Sequence, residues 1–301
     1  MSNFLVVIVG PTAVGKTACS IKLAEHFDAE ILSADSRQFY KDLTIGTAKP
    51  TQLELDKVRH HFIDILDISE EMSAGKFEEK SLVLLDELFK KKKVQIAVGG
   101  SGLYVDALCR GLDDIPRAPD EIRDLFNNKL YHEGLGSLLT ELEKKDPEYF
   151  EIVDQNNPHR IIRALEVIKH TGEKYSSLRS KKVKKRPFKV IKIGLALPRD
   201  ILYDRINHRM DEMIQKGLFE EAKLLYPYKN LNALNTVGYK EIFNFLDDIY
   251  DKEECIRLLK RNSRRYAKRQ LTWFKRDENT QWFSPDDISS IINYIKKSLK
   301  E

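Results

Sequence analysis

Two clusters of residues in this 301-residue chain are equipped for chemistry. The first is Gly10-Pro11-Thr12-Ala13-Val14-Gly15-Lys16-Thr17, a complete G-x-x-x-x-G-K-[ST] loop. Its glycines let backbone N–H groups crowd around an anion, and a helix N-terminus behind the loop adds partial positive charge. Lys16 contributes a full charge, and the Thr17 hydroxyl is a ligand for Mg²⁺. The pattern calls for a di- or triphosphate, without saying whether it belongs to a nucleotide. The second cluster is Asp35-Ser36-Arg37-Gln38. Asp35 follows a strand-like run and reads either as a site carboxylate or as a helix N-cap. Ordinary nucleotide hydrolases place an acid at the tip of a further core strand, where it orders Mg²⁺ and the attacking water. Here the clearest later core strand, Val94–Val98, runs into Gly99-Gly100-Ser101-Gly102 and carries no acid at its tip.

The elements that must hold these residues are legible as well. Phe4–Val9 reads as a buried strand before the loop, and a helix is expected over Lys16–Phe27. The first hundred residues alternate strand and helix, the pattern of a parallel sheet wrapped by helices. Strand C-terminal ends gather at one edge of such a sheet, so the loop, Asp35 and Ser101 should share a crevice. From Asp120 to about Lys182 only helical periodicity is found, and Phe188–Leu197 then reads as a strand again. The fold class expected is α/β: a P-loop parallel-sheet core over 1–114 and 187–301, with an all-helical insertion over 115–186. Within the insertion, Asn157 is placed to cap a helix that has Pro158 at its first position. Arg160 and Arg163 lie opposite an apolar stripe of Ile161, Ile162, Leu165 and Ile168. Arg205 and Arg209 share one helix face and would clamp a phosphate if that face meets the crevice. His60-His61 makes a poor metal chelate, because adjacent side chains point apart.

Charge is distributed unevenly. Residues 179–192 hold eight Lys/Arg and no acid, and residues 257–276 hold nine and no acid, in a chain whose net charge is only +4. Acid-free blocks of this kind read as a footprint for a polyanion. In the second block, Arg257, Arg261, Arg264 and Lys268 recur at helical spacing as a positive stripe. Cys19, Cys109 and Cys255 are far apart and suggest neither a zinc site nor a disulfide framework, in keeping with a reducing cytosol. No apolar run is long enough to span a membrane, and no signal peptide is seen.

Taken together, the motifs resemble the bacterial tRNA dimethylallyltransferases, also called tRNA isopentenyltransferases. The matching runs are GPTAVGKT (10–17), SADSRQFY (33–40), LTIGTAKP (43–50), HHFID (60–64), GGSGLY (99–104), NPHRIIRALEV (157–167) and KRNSRRYAKRQLTWFKR (260–276), in order along nearly the whole chain. The resemblance implies transfer of a five-carbon prenyl group from dimethylallyl diphosphate to the exocyclic amine of an adenosine beside the anticodon of tRNA. The loop Gly10, Pro11, Thr12, Ala13, Val14, Gly15, Lys16 and Thr17 would then hold the donor's diphosphate, with Mg²⁺ on Thr17 and help from Arg209. Asp35 would be the general base. By the same resemblance Ser36, Arg37 and Gln38 hold the adenine flipped out of its stack, and Ser101, where many members carry Thr, touches the tRNA nearby. Arg123, the segment His159, Arg160, Ile161, Ile162 and Arg163, and Lys240, Arg264, Arg265 and Lys268 are further expected tRNA contacts. A monomer acting in the cytoplasm is expected. No Cys/His zinc finger of the eukaryotic kind follows. The alternatives are a prenyltransferase acting on free AMP and a P-loop nucleotide kinase; a GTPase-like switch lacks its base-recognition and switch motifs.

Overall fold

A computed structural model describes residues 2–180 and 182–300. It divides into two compact units: one comprises the chain up to Arg110 and from Lys185 onward, the other Gly111–Lys184. The insertion therefore begins and ends a few residues earlier than 115–186.

The first unit is built on a parallel sheet of six strands, β1 (Asn3–Val9), β2 (Ile31–Ser33), β3 (His60–His61), β4 (Val94–Gly99), β5 (Phe188–Leu195) and β6 (Gln281–Phe283), in the order β3-β2-β4-β1-β5-β6. β1 lies between β4 and β5 and is apolar on both sides, as a central parallel strand requires. Its side chains alternate: Leu5, Val7 and Val9 enter one hydrophobic layer, and Phe4, Val6 and Ile8 enter the other. Helix α1 (Lys16–Phe27) occupies the range expected from the sequence. The later helices of this unit that matter for the site are α2 (Arg199–Gln215) and α3 (Lys252–Phe274). β3 and β6 went unread in the sequence because strands of two and three residues at a sheet edge show no periodicity.

All pairings are parallel, so the loops after β1, β2 and β4 emerge at the same edge. These loops carry Gly10–Thr17, Asp35–Gln38 and Gly99–Gly102. Asp35 is not a helix cap: its Oδ1 accepts the N–H of Arg37, two residues on, inside a turn.

The second unit is helical, with α4 (Asp120–Lys145), α5 (Pro147–Ile152), α6 (Pro158–Thr171) and α7 (Tyr175–Leu178). α6 starts as the sequence indicates: the Asn157 side chain accepts the N–H of Arg160, and Pro158 takes the first helical position. Phe126, Leu138, Leu142, Tyr149, Ile161, Ile162 and Leu165 form its core.

Candidate active site

The loop Gly10–Thr17 opens onto a cavity of about 600 Å³ lined by Thr12, Lys16, Thr17, Asp35, Arg37, Gln38, Arg205 and Arg209, among others, all in the first unit. Gly15 adopts φ 105° as it turns the chain into α1, a conformation that side chains with a Cβ rarely accept. Lys16 Nζ folds back to the carbonyls of Gly10 (3.1 Å) and Pro11 (2.8 Å). Burial lowers its pKa to about 8; Asp35 opposes that shift and Arg209 adds to it. Arg209 is itself held below its ordinary value by burial, against the pull of Asp35. Lys16, Asp35 and Arg209 thus lie in one cavity, where the charges of Asp35 and Arg209 act on the ionisation of Lys16.

Asp35 sits at the end of β2, across from the phosphate loop. The adjoining Ser36 gives its N–H to Ser101 Oγ (3.0 Å), and Ser101 Oγ donates in turn to Ser36 Oγ (3.1 Å). Ser101 therefore braces the Asp35 turn against the loop after β4. Arg37 donates to the carbonyls of Asn232 (2.8 Å) and Asn235 (3.3 Å). Gln38 Oε1 accepts from Ser33 Oγ (3.1 Å), and its Nε2 donates to the carbonyls of Thr47 and Ala48 (both 3.3 Å). A second, smaller cavity of about 40 Å³ lies against Thr17, Asp35, Ser33 and His60. His60 Nδ1 meets the Val58 carbonyl, His61 Nε2 meets Glu30, and no group of His, Cys, Asp and Glu suited to hold a metal occurs among the described residues.

The charged segments divide differently from the way the sequence divides them. In 179–192, Lys192 is buried on β5 and paired with Asp277 (2.5 Å), and Arg186 is buried against Glu78 (2.8 Å). The Arg179 guanidinium lies over the Tyr149 ring at 5.2 Å, and Lys184 pairs with Asp114 at 2.6 Å. Lys181 lies outside the described residues. Part of this block is therefore matched by acids within the fold, Asp114, Glu78 and Asp277, while Lys182, Lys185 and Lys189 are exposed. On α3 the stripe Arg257, Arg261, Arg264, Lys268 is also redrawn. Arg257 is held by Glu254, Lys260 by Asp211, and Arg264 by Asn207 at 2.5 Å beneath the Tyr203 ring. The exposed basic face is Arg265, Lys268 and Arg269, continued past the helix by Lys275 and Arg276. Lys240 is exposed as well.

In the second unit, Ile161 and Ile162 are 0% and 4% exposed and fill the core. Their side chains cannot be tRNA contacts, contrary to the expectation, because the apolar stripe of α6 is what holds this unit together. His159 and Arg160 are exposed. Arg163 donates to the carbonyls of Ile115 and Pro116 and is half-buried. Arg123 pairs with the buried Glu166 at 2.7 Å.

One residue at the site was missed. Gln270 on α3 is 6% exposed; its Oε1 accepts the N–H of Thr12 (2.8 Å) and its Nε2 donates to the carbonyl of Gly100 (3.0 Å). A signal was present: Leu259, Ser263, Ala267, Gln270 and Phe274 follow one another at steps of three and four along the buried face, so Gln270 takes a core position with a polar side chain.

A family model described as IPP transferase matches residues 38–277. The chain is 50% identical over 301 residues to a protein named tRNA dimethylallyltransferase from Cytophaga hutchinsonii, covering 100% of this chain and 99% of that protein. It is 51% identical over 300 residues to one of the same name from Christiangramia forsetii, with 99% of each covered. Among solved structures, the full-length tRNA isopentenylpyrophosphate transferase of Bacillus halodurans matches with a TM-score of 0.74 and 42% identity, over 99% of this chain and 97% of that one. A eukaryotic dimethylallyltransferase solved acting on tRNA matches with a TM-score of 0.80 and 28% identity, over 96% of this chain and 75% of that one. The chain belongs to the IPP transferase family.

Proposed function

We infer that this protein transfers a dimethylallyl group from dimethylallyl diphosphate to the N6 amine of the tRNA adenosine 3′-adjacent to the anticodon, releasing diphosphate. The observation that carries the reading is one cavity in which a phosphate loop, the cations Lys16, Arg205 and Arg209, and the carboxylate Asp35 beyond β2 converge. The diphosphate lies against the loop N–H groups, Lys16 and Arg209, with Arg205 at the rim. The amine attacks the allylic carbon, the new C–N bond forms as the C–O bond breaks, and the electron pair leaves on the diphosphate. Asp35 takes the amine proton, a contribution of about 10²–10⁴-fold for a positioned base. Fixed positive charge where the leaving group develops its negative charge lowers the barrier further.

Mg²⁺ suits the same place. It takes few protein oxygens and keeps several waters, and Thr17 and Asp35 both border one small cavity beside the loop. There it would neutralise the departing diphosphate. The adenine must leave its stack, at a cost of a few kcal/mol offset by contacts elsewhere on the tRNA. The Ser36–Gln38 turn borders the space it would enter, and Ser101 holds that turn. Arg265, Lys268 and Lys240 in the first unit and Arg160 in the second supply cations for the tRNA backbone, with the exposed His159 beside Arg160 and Arg123, paired with Glu166, as further contacts. A monomer acting in the cytoplasm is the assembly and location that this reading implies. Among the described residues no helix is long and apolar enough to cross a membrane.

The test is to incubate the protein with radiolabelled dimethylallyl diphosphate and either bulk unmodified tRNA or AMP. Label in tRNA is the expected result. Label in AMP alone would make it a free-nucleotide prenyltransferase, and ATP consumption with no label transferred would make it a kinase.

A further inference from the structure

We propose that Gln270 is a positioning residue that sets the separation between the diphosphate cradle and the Asp35 carboxylate; the proposal rests on the transfer reaction inferred above. The side chain is one buried amide serving two loops. Its Oε1 holds the phosphate loop at the Thr12 N–H (2.8 Å), and its Nε2 holds the loop after β4 at the Gly100 carbonyl (3.0 Å). From Gly100 the connection continues one residue to Ser101, whose Oγ holds the N–H and Oγ of Ser36, next to Asp35. Thr12, Gln270, Gly100, Ser101, Ser36 and Asp35 thus form one chain of contacts linking the donor side of the cavity to the base. Neither loop bonds the other directly through this chain; α3 mediates.

The fit at Gly100 is tight. A Cβ there would lie 2.3 Å from Gln270 Nε2 and 3.8 Å from Lys16 Nζ. Gly100 does not have a positive φ, so the constraint is space for the amide and not backbone conformation. One turn further along α3, Trp273 Nε1 donates to Asp106 Oδ2 at 2.8 Å, on the helix that follows the Gly99–Gly102 loop. The helix therefore holds this segment at two levels, and only the Gln270 level reaches the phosphate loop. A buried amide with both ends satisfied fixes the distance between its partners, because letting go of either strands a polar group. Misplacing reacting groups by about 1 Å can cost on the order of 10²-fold in rate.

The experiment compares the full-length protein with Gln270→Met, which keeps length and bulk but cannot hydrogen-bond, and with Gly100→Ala, which leaves Gln270 in place but drives its amide aside. Each single variant is expected to lower the single-turnover transfer rate roughly 10- to 100-fold, with the KM and filter-binding affinity for tRNA unchanged. Because both act through one contact, the double variant should be no slower than the slower single variant. Circular dichroism and thermal melting identify a variant that fails to fold, and the other variant then carries the test. A wild-type rate in either folded variant, a rate loss matched by lost tRNA affinity, or losses that multiply in the double variant would each overturn the proposal. If the wild-type protein itself transfers no label to tRNA, it is the function that fails and not the role of Gln270.

Discussion

The inner and outer faces of α3 serve different purposes. The inner face presents Ser263, Ala267, Gln270 and Phe274, all buried, to the sheet and the two loops of the cavity. The outer face of the helix's second half presents Arg265, Lys268 and Arg269 to solvent. Between them the first half of the helix is equally basic in sequence, yet its cations are spoken for: Arg257 by Glu254, Lys260 by Asp211 and Arg264 by Asn207. Basic residues on one helix are thus not equivalent. Arg257 and Lys260 have carboxylate partners within the fold and Arg264 is tied to an amide, whereas Arg265, Lys268 and Arg269 are presented to solvent and to a polyanion.

The comparison is broken most severely at the cavity. Asp35→Ala is expected to lower single-turnover transfer at least about a hundredfold while tRNA binding and donor binding persist; near-normal turnover would remove Asp35 from the mechanism. Next in size, Lys16→Ala should weaken dimethylallyl diphosphate binding about 10- to 100-fold, the range for losing a charged hydrogen-bonding partner. Calorimetry should show this with tRNA affinity nearly unchanged, whereas an equal loss of tRNA binding would mean that the inner and outer sites are not separate.

The pH dependence belongs to the inner site alone. With Lys16 lowered to about 8 in the empty cavity, a seated diphosphate must raise it. Donor affinity is therefore fully present below about pH 8 and falls as pH rises toward the pKa of the bound form, by at most about tenfold per pH unit. Calorimetry near pH 8.5 in buffers of different ionisation heat should register proton uptake on binding, and Lys16→Arg should abolish it. Uptake that persists in that variant would move the titrating group elsewhere.

The outer face is read by salt. Replacing Lys268 and Arg269 together with Gln should make the slope of log tRNA affinity against log salt shallower by about 1.4–1.8 units, since each phosphate contact contributes about 0.7–0.9. The smallest effect is expected for Arg257→Gln, whose partner is Glu254: the salt slope should barely move. If Arg257→Gln flattened the slope as much as the Lys268/Arg269 pair does, the division of α3 proposed here would be wrong.

What could be read from the sequence followed how local each feature is. The phosphate loop, β1, α1 and the Asn157 cap depend on residues within a few positions of one another, and all were legible. The placement of Asp35 beside Lys16 needed only the rule that parallel strands end at one edge. The free basic face was not legible, because the partners that silence Lys260 and Arg264 come from α2, some fifty residues earlier. Gln270 escaped for a related reason: a Gln among arginines reads as solvated until loops from far upstream close over it. Ile161 and Ile162 were placed in the apolar stripe by their spacing and on the tRNA by resemblance; the core of the helical unit decides for the stripe.

Unmodified tRNA is incubated with dimethylallyl diphosphate and either the wild-type protein or Asp35→Ala, then digested and analysed by mass spectrometry. One added five-carbon unit on N6 of the adenosine 3′-adjacent to the anticodon is expected with the wild-type protein, and at least about a hundredfold slower appearance with the variant. Modification at another nucleotide, or the same product formed at the same rate by Asp35→Ala, would contradict it.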